Sequence, residues 1–137
     1  MLTNFHVLHV GQEVKVNGKI AKIVRVDPVN DLCLLAVATR KVDALTFAEK
    51  VSQDEEVVIY GNPLGHKDVI LHGRIIDIAD NRFYTDAHVF SGSSGSGVYN
   101  LKGEFVGIVS AIEGKENFGF PYGVIVTAKT VYEFLAD

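Results

Sequence analysis

Apolar and polar residues alternate along Glu13-Val14-Lys15-Val16 and again along Lys19-Ile20-Ala21-Lys22-Ile23-Val24-Arg25-Val26, with Asn17-Gly18 between. A period of two suits a half-buried strand, so the two runs predict a β-hairpin. Asn-Gly favours a type I′ turn, in which both central residues need positive φ. Leu32 to Val37 is nearly all apolar and reads as a buried core strand. From Arg40 to Glu56 the pattern turns charged and loses its period, as a connection with a short surface strand or turn would. Six strand-like stretches come next: Val57 to Tyr60, Val69 to Ala79, Arg82 to Asp86, Gly97 to Asn100, Glu104 to Ile112, and Phe118 to Val126. Turn signals separate them at Asn62-Pro63, Ala79-Asp80-Asn81, Lys102-Gly103 and Gly114. Six short strands at this spacing predict a closed barrel. The tail, Ala128 to Asp137, reads as a helix. Thr130-Val131-Tyr132-Glu133 fits a capping box, and Val131, Phe134 and Leu135 fall on one face.

One stretch breaks the strand pattern. Val89-Phe90-Ser91-Gly92-Ser93-Ser94-Gly95-Ser96-Gly97-Val98 packs three glycines and four serines between apolar residues. Glycines so close to strands predict a tight backbone that presents one hydroxyl and aims amide N–H groups at one point. Taken alone, the run also fits a solvated Gly/Ser turn. A serine nucleophile needs a base. The chain offers His6 in Leu2-Thr3-Asn4-Phe5-His6-Val7-Leu8, and Asp31 in Asp27-Pro28-Val29-Asn30-Asp31-Leu32-Cys33-Leu34-Leu35. His6, Asp31 and Ser94 thus follow one of the known chain orders of a Ser-His-Asp triad. A carboxylate at the mouth of an apolar strand is desolvated and needs a donor. His6 is one candidate; the other reading makes Asp31 a turn cap beside Asn30.

Each of these strings resembles the trypsin-like serine peptidases, and the bacterial HtrA/Deg-type branch most closely. The family's histidine sits in T-N-x-H-V, its aspartate in D-L-x-x-L, and its serine in G-x-S-G-[GS]. Tyr60-Gly61-Asn62-Pro63-Leu64-Gly65 and Thr85-Asp86-Ala87 match that branch as well. Five strings in the right order make the resemblance strong, and it runs from Leu2 nearly to the C-terminus. It implies an all-β, trypsin-like double β-barrel with a short C-terminal helix. Residues 1–45 would form a first barrel carrying His6 and Asp31, 46–56 a connection, 57–127 a second barrel carrying Ser94, and 128–137 the helix. The family's opening strands precede its histidine string, so the first barrel is expected to be N-terminally incomplete. No string matching the peptide-binding PDZ module is expected after the helix.

The resemblance also implies roles. Ser94 would be the nucleophile, His6 the general base and Asp31 its orienting partner. The backbone N–H groups of Gly92 and Ser94 would receive the oxyanion. Ser96 stands where the family commonly has a second glycine, in a packing role. Ser110-Ala111-Ile112 would pair with an extended peptide by β-augmentation. The specificity pocket would draw on Ile112, on His88, Val89, Phe90 and Ser91, and on the Phe118 to Phe120 region. His88 falls where the family's pocket base is expected. The bulk of Ile112 would narrow the pocket against long basic side chains.

Composition trims the alternatives. A content of 47% hydrophobic residues and a mean hydropathy of +0.19 can furnish a core. The net charge of −4 and a pI near 5.7 argue against a nucleic-acid surface. A single cysteine, Cys33, excludes an internal disulfide and a cysteine metal cluster, and its apolar surroundings mark it as a small buried hydrophobe. No apolar stretch is long enough to span a bilayer, no leader pattern opens these residues, and no compartment is indicated. His6 and His9 have an H-x-x-H spacing, but no further ligand string accompanies it, so no metal or cofactor is expected. His9, His66 and His72 read as surface or loop residues. Asp77, Asp80 and Asp86 read as turn and strand-end residues rather than a glycosidase pair.

The expected function is a serine endopeptidase acting on extended polypeptide through an acyl-enzyme. Two other readings stay open: a weakly active or inactive protease-fold module that binds peptides, and an esterase-type acyl hydrolase. An esterase nucleophile elbow needs strand, turn and helix, whereas the chain after Ser94 reads as strand. An incomplete first barrel would expose strand edges, which a homo-oligomer or a completing N-terminal segment would cover.

Overall fold

A computed structural model describes residues 1–8, 13–16, 18–36, 45–61, 69–89, 93–113 and 121–136. The chain divides into two compact units, Met1–Ala44 and Leu45–Asp137.

The first unit is a curled half-barrel sheet of four strands in the order β1-β4-β3-β2. These are β1 (Leu2–Thr3), β2 (Val14–Val16), β3 (Lys19–Asp27) and β4 (Leu32–Ala36). The predicted hairpin is β2–β3, with Val16 opposite Lys19, which leaves a two-residue turn. Gly18 in that turn has φ +80°, as a type I′ turn demands; Asn17 lies outside the described residues. Leu32, Cys33 and Leu35 in β4 are buried, matching the apolar run; Val37 lies outside the described residues. Ala21, Cys33 and Leu35 form a small core with Leu8, Val14 and Val16 against it.

The second unit is a closed six-stranded antiparallel barrel in the order β10-β7-β6-β5-β8-β9, in which β9 pairs back onto β10. The strands are β5 (Glu56–Gly61), β6 (Val69–Ile78), β7 (Arg82–Thr85), β8 (Gly97–Asn100), β9 (Phe105–Glu113) and β10 (Tyr122–Thr127). Closure removes the edges that an open sheet would expose. The interior holds Val57, Ile59, Ile75, Phe83, Val98, Val106, Val109 and Ile125. The Leu45–Glu55 segment ahead of β5 carries a single parallel bridge, Phe47 to Phe105, whose rings meet edge-on at 5.0 Å.

Helix α1 (Ala128–Ala136) packs over β9 and β10. It starts ahead of the predicted capping box. Thr127 is the cap: its Oγ1 accepts the Thr130 N–H at 3.2 Å, so Thr130 is the third helical residue rather than the cap. Val131 and Phe134 are buried as expected and Ala128 joins them, whereas Leu135 is exposed. His72, read as a surface or loop residue, lies within β6 and is exposed.

Candidate active site

Antiparallel pairing of β1 with β4 sets Leu2 opposite Leu34 and Thr3 opposite Cys33. The exit of β1 and the entrance of β4 therefore lie at the same end of the sheet. His6 follows the exit, in a single 3-10 turn over Phe5–Val7 that the Leu8 N–H closes onto the Phe5 carbonyl at 3.1 Å. Asp31 stands at the entrance. Its carboxylate meets His6 twice: Oδ1 accepts the His6 backbone N–H at 2.8 Å, and Oδ2 lies 2.6 Å from Nδ1. A carboxylate only accepts, so Nδ1 carries the proton and Nε2 is the basic nitrogen of the neutral ring. The His6 side chain is half-exposed and that of Asp31 mostly covered. The turn before β4 is capped by Asp27, whose carboxylate takes the Asn30 backbone and side-chain N–H groups at 3.1 and 2.8 Å. The cap reading thus falls on Asp27, and the Asp31 carboxylate is turned to His6.

In the second unit, the Ser96 N–H donates to the Ser93 carbonyl at 3.0 Å, closing a four-residue turn. Gly95, the third residue, has φ +88°, the left-handed value that a type II turn requires there. Ser94 therefore sits at the turn's leading corner, while Ser93 and Ser96 are buried on either side. The Ser94 hydroxyl donates to the Ser110 carbonyl at 3.2 Å. Ser110 is the extra residue of a β-bulge, since Ala111 pairs with Val124 and Val109 with Ile125. A bulge re-aims the groups of its strand, and sequence periodicity carries no sign of it. β8 pairs β9 only as far as Ile108, so Ala111 and Ile112 are strand-paired on the β10 side. The chain beyond Ser94 runs into β8, so the strand–turn–helix of an esterase elbow is not formed.

Asp86, Ala87, His88, Val89, Ile112, Pro121 and Tyr122 enclose a cavity of about 480 Å³. It brings together three of the residues predicted for substrate, His88, Val89 and Ile112. Pro121 and Tyr122 adjoin the predicted Phe118 to Phe120 region. Phe90, Ser91, Gly92 and Phe118 to Phe120 lie outside the described residues, as do His9 and His66. Asp86 accepts the Arg74 backbone N–H at 2.7 Å, which fixes the turn after β7. Sequence reasoning missed Asn4, the Ser110 bulge and the cavity walls Pro121 and Tyr122. Asn4 was legible as part of the histidine string; the other three depend on pairing across the barrel. Among the described residues no cluster of three or more His, Cys, Asp or Glu is placed to hold a metal ion, and no helix is long and apolar enough to cross a membrane.

A half-barrel with a His–Asp pair at its strand ends and a six-stranded barrel with a serine at a glycine turn are the parts of a trypsin-like serine-protease fold. The trypsin-like peptidase domain model matches residues 1–108, and the chain belongs to that family. Its relatives are HtrA/Deg-type serine proteases. A probable periplasmic serine endoprotease, DegP-like, from Chlamydia trachomatis is 26% identical, over all of this chain and 32% of that protein. The putative serine protease HhoB of Synechocystis is 28% identical, over 98% of this chain and 37% of the relative. The active form of a protease from M. tuberculosis superposes with a TM-score of 0.83 at 26% identity, covering 98% of this chain and 67% of that one. An HtrA-type protease, AlgW, solved with a decapeptide, gives 0.83 at 25% identity, over 98% and 46%. The chain spans about a third of the length of these curated relatives.

Proposed function

We propose that this chain is a serine endopeptidase in which His6, Asp31 and Ser94 act together. The observation that carries the reading is the double grip of Asp31 on His6, because it leaves Nε2 as the basic nitrogen. The Ser94 Oγ attacks the peptide carbonyl carbon and passes its proton to Nε2. The negative charge that builds on the carbonyl oxygen is met by the N–H groups of Gly92 and Ser94. The C–N bond breaks as His6 returns the proton to the leaving amine, and an acyl-Ser94 ester remains. Water then attacks that ester with His6 again as base, releasing the acid and restoring the hydroxyl. Asp31 holds the tautomer and stabilises the imidazolium throughout.

The substrate is extended polypeptide. Ala111 and Ile112 offer it a backbone edge, and the cavity walled by His88, Val89 and Ile112 receives a side chain. Relatives named as endoproteases support this choice over a small ester. Labelling with a serine-directed phosphonate, followed by peptide mapping, is expected to mark Ser94. Turnover of a peptide panel is expected to exceed that of matched esters lacking peptide context. A chain that binds peptides but resists the phosphonate would be a binding module instead.

A further inference from the structure

Asn4 is wholly buried, yet its side chain does not perform the task its position suggests. It precedes the 3-10 turn that carries His6, where an asparagine oxygen ordinarily accepts a backbone N–H of the first turn. Here it makes no such bond. The N–H it would take, that of His6, is taken by the Asp31 carboxylate from another strand. The Asn4 amide instead donates Nδ2–H to the Asp31 carbonyl at 3.0 Å, and its Oδ1 is buried without a partner among the described residues. The reverse orientation of the amide would set two oxygens against each other. Asp31 itself is held at φ +59°, a left-handed backbone that is uncommon outside glycine and that aspartate and asparagine adopt at some cost.

We infer that Asn4 is a positioning residue: it locks the Asp31 backbone in the left-handed conformation from which one carboxylate reaches both the amide and the ring of His6. An orphaned buried oxygen costs stability, so packing alone does not favour asparagine at this site. A strained backbone held by a buried donor beside a His–Asp pair fits a requirement of the chemistry. The inference rests on the proposed role of His6 and Asp31, and its test separates the two.

The full chain would be compared with Asn4→Leu, which keeps the heavy-atom branching and removes both the donor and the orphaned oxygen. The His6 Nδ1 proton would be followed by NMR as a low-field signal, assigned by its loss in Asp31→Asn. Asn4→Leu is expected to weaken or abolish that signal and to lower kcat by on the order of 100-fold, the cost of about 1 Å of misplacement. KM should change little, and the melting temperature should stay close to that of wild type, since loss of the orphaned oxygen offsets loss of the bond to the Asp31 carbonyl. Unaltered signal and kcat overturn the inference. So does a loss of both that merely tracks the unfolded fraction seen by circular dichroism, since Asn4 would then serve folding alone. If the wild type cleaves no peptide while the signal still depends on Asn4, the positioning role holds and the peptidase reading fails.

Discussion

Gly61 lies so close to Ser96 that a methyl group on its α-carbon would fall on the Ser96 hydroxyl and come within 2.8 Å of its β-carbon. Ser96 is buried, at the position where the family commonly has a second glycine, and Gly61 on β5 makes the room. Gly61→Ala is expected to destabilise the fold by roughly 1–3 kcal/mol through overpacking, read by urea denaturation. Adding Ser96→Gly should recover most of the loss, because the clashing atoms are gone. Equal stabilities for the single and double variants would mean that the two residues are not coupled.

Ser94→Ala tests the nucleophile. A triad that acts as a unit loses on the order of 10⁶ in kcat when the serine is removed. Stability should move by about 1 kcal/mol, the scale of a hydrogen bond such as the one the hydroxyl gives to the Ser110 carbonyl. Ser96→Ala should keep most of the activity. A dead Ser96 variant beside an active Ser94 variant would shift the mechanism by two residues.

Asp31→Asn separates charge from conformation. Asparagine tolerates positive φ, so the turn should survive with little change in melting temperature. Without the carboxylate, Nδ1 need no longer carry the proton and Nε2 is lost as the base. A fall on the order of 10⁴ in kcat at neutral pH is expected, as such a change produces in other Ser-His-Asp triads. Retention of wild-type kcat would show that the carboxylate is dispensable.

Strand runs marked β2, β3 and the six barrel strands through their β-branched and aromatic residues, but not how deeply each is buried. In β3 only Ala21 is buried while Ile20, Ile23, Val24 and Val26 are exposed, and β10 is buried at every position. The sites of Ser94 and Gly95 were legible since glycine is needed where φ is positive. Asp31 at positive φ was not, because aspartate also serves ordinary turns, as Asp27 does at the head of the turn before β4. The Ser110 bulge was hidden for a different reason: one extra residue in β9 is defined only by its register with β10. The helix cap was misplaced because Thr127 and Thr130 are chemically equivalent candidates. Only the end of β10 decides between them.

Cys33 predicts a pH dependence in the first unit. Its side chain is fully buried, and burial pushes the thiol above its ordinary value of 9.0. The folded chain therefore holds this proton to higher pH than the unfolded chain. Stability from this group is complete below the unfolded value and falls as pH rises through the folded one. The slope from this single proton is at most about 1.4 kcal/mol per pH unit. Denaturation curves at pH of about 7.5, 9 and 10, spanning the usual thiol range, are expected to show the loss in wild type and a shallower one in Cys33→Ala. Parallel curves for the two would assign alkaline destabilisation to other groups.

The cavity between the β7 exit and β9 predicts a change of specificity. Ile112 forms part of its wall and remains 43% exposed, so its side chain stands at the rim rather than in the core. Truncating it removes bulk without opening a sealed void, and the cost to stability should stay below that of a core deletion. His88 and Asp86 line the same space, so the enlarged cavity gains access to polar walls. Ile112→Gly is expected to favour longer side chains, raising kcat/KM for phenylalanine or lysine against valine at the cleaved position. One methylene is worth about 10-fold or more in such a pocket, so a shift of roughly 10–100-fold is the scale. Glycine also loosens the strand, and Ile112→Ala controls for that, because it widens the rim while keeping strand geometry. Matching shifts in both variants would tie selectivity to the rim. An unchanged preference in both, with intact folding, would place the substrate side chain elsewhere on the barrel.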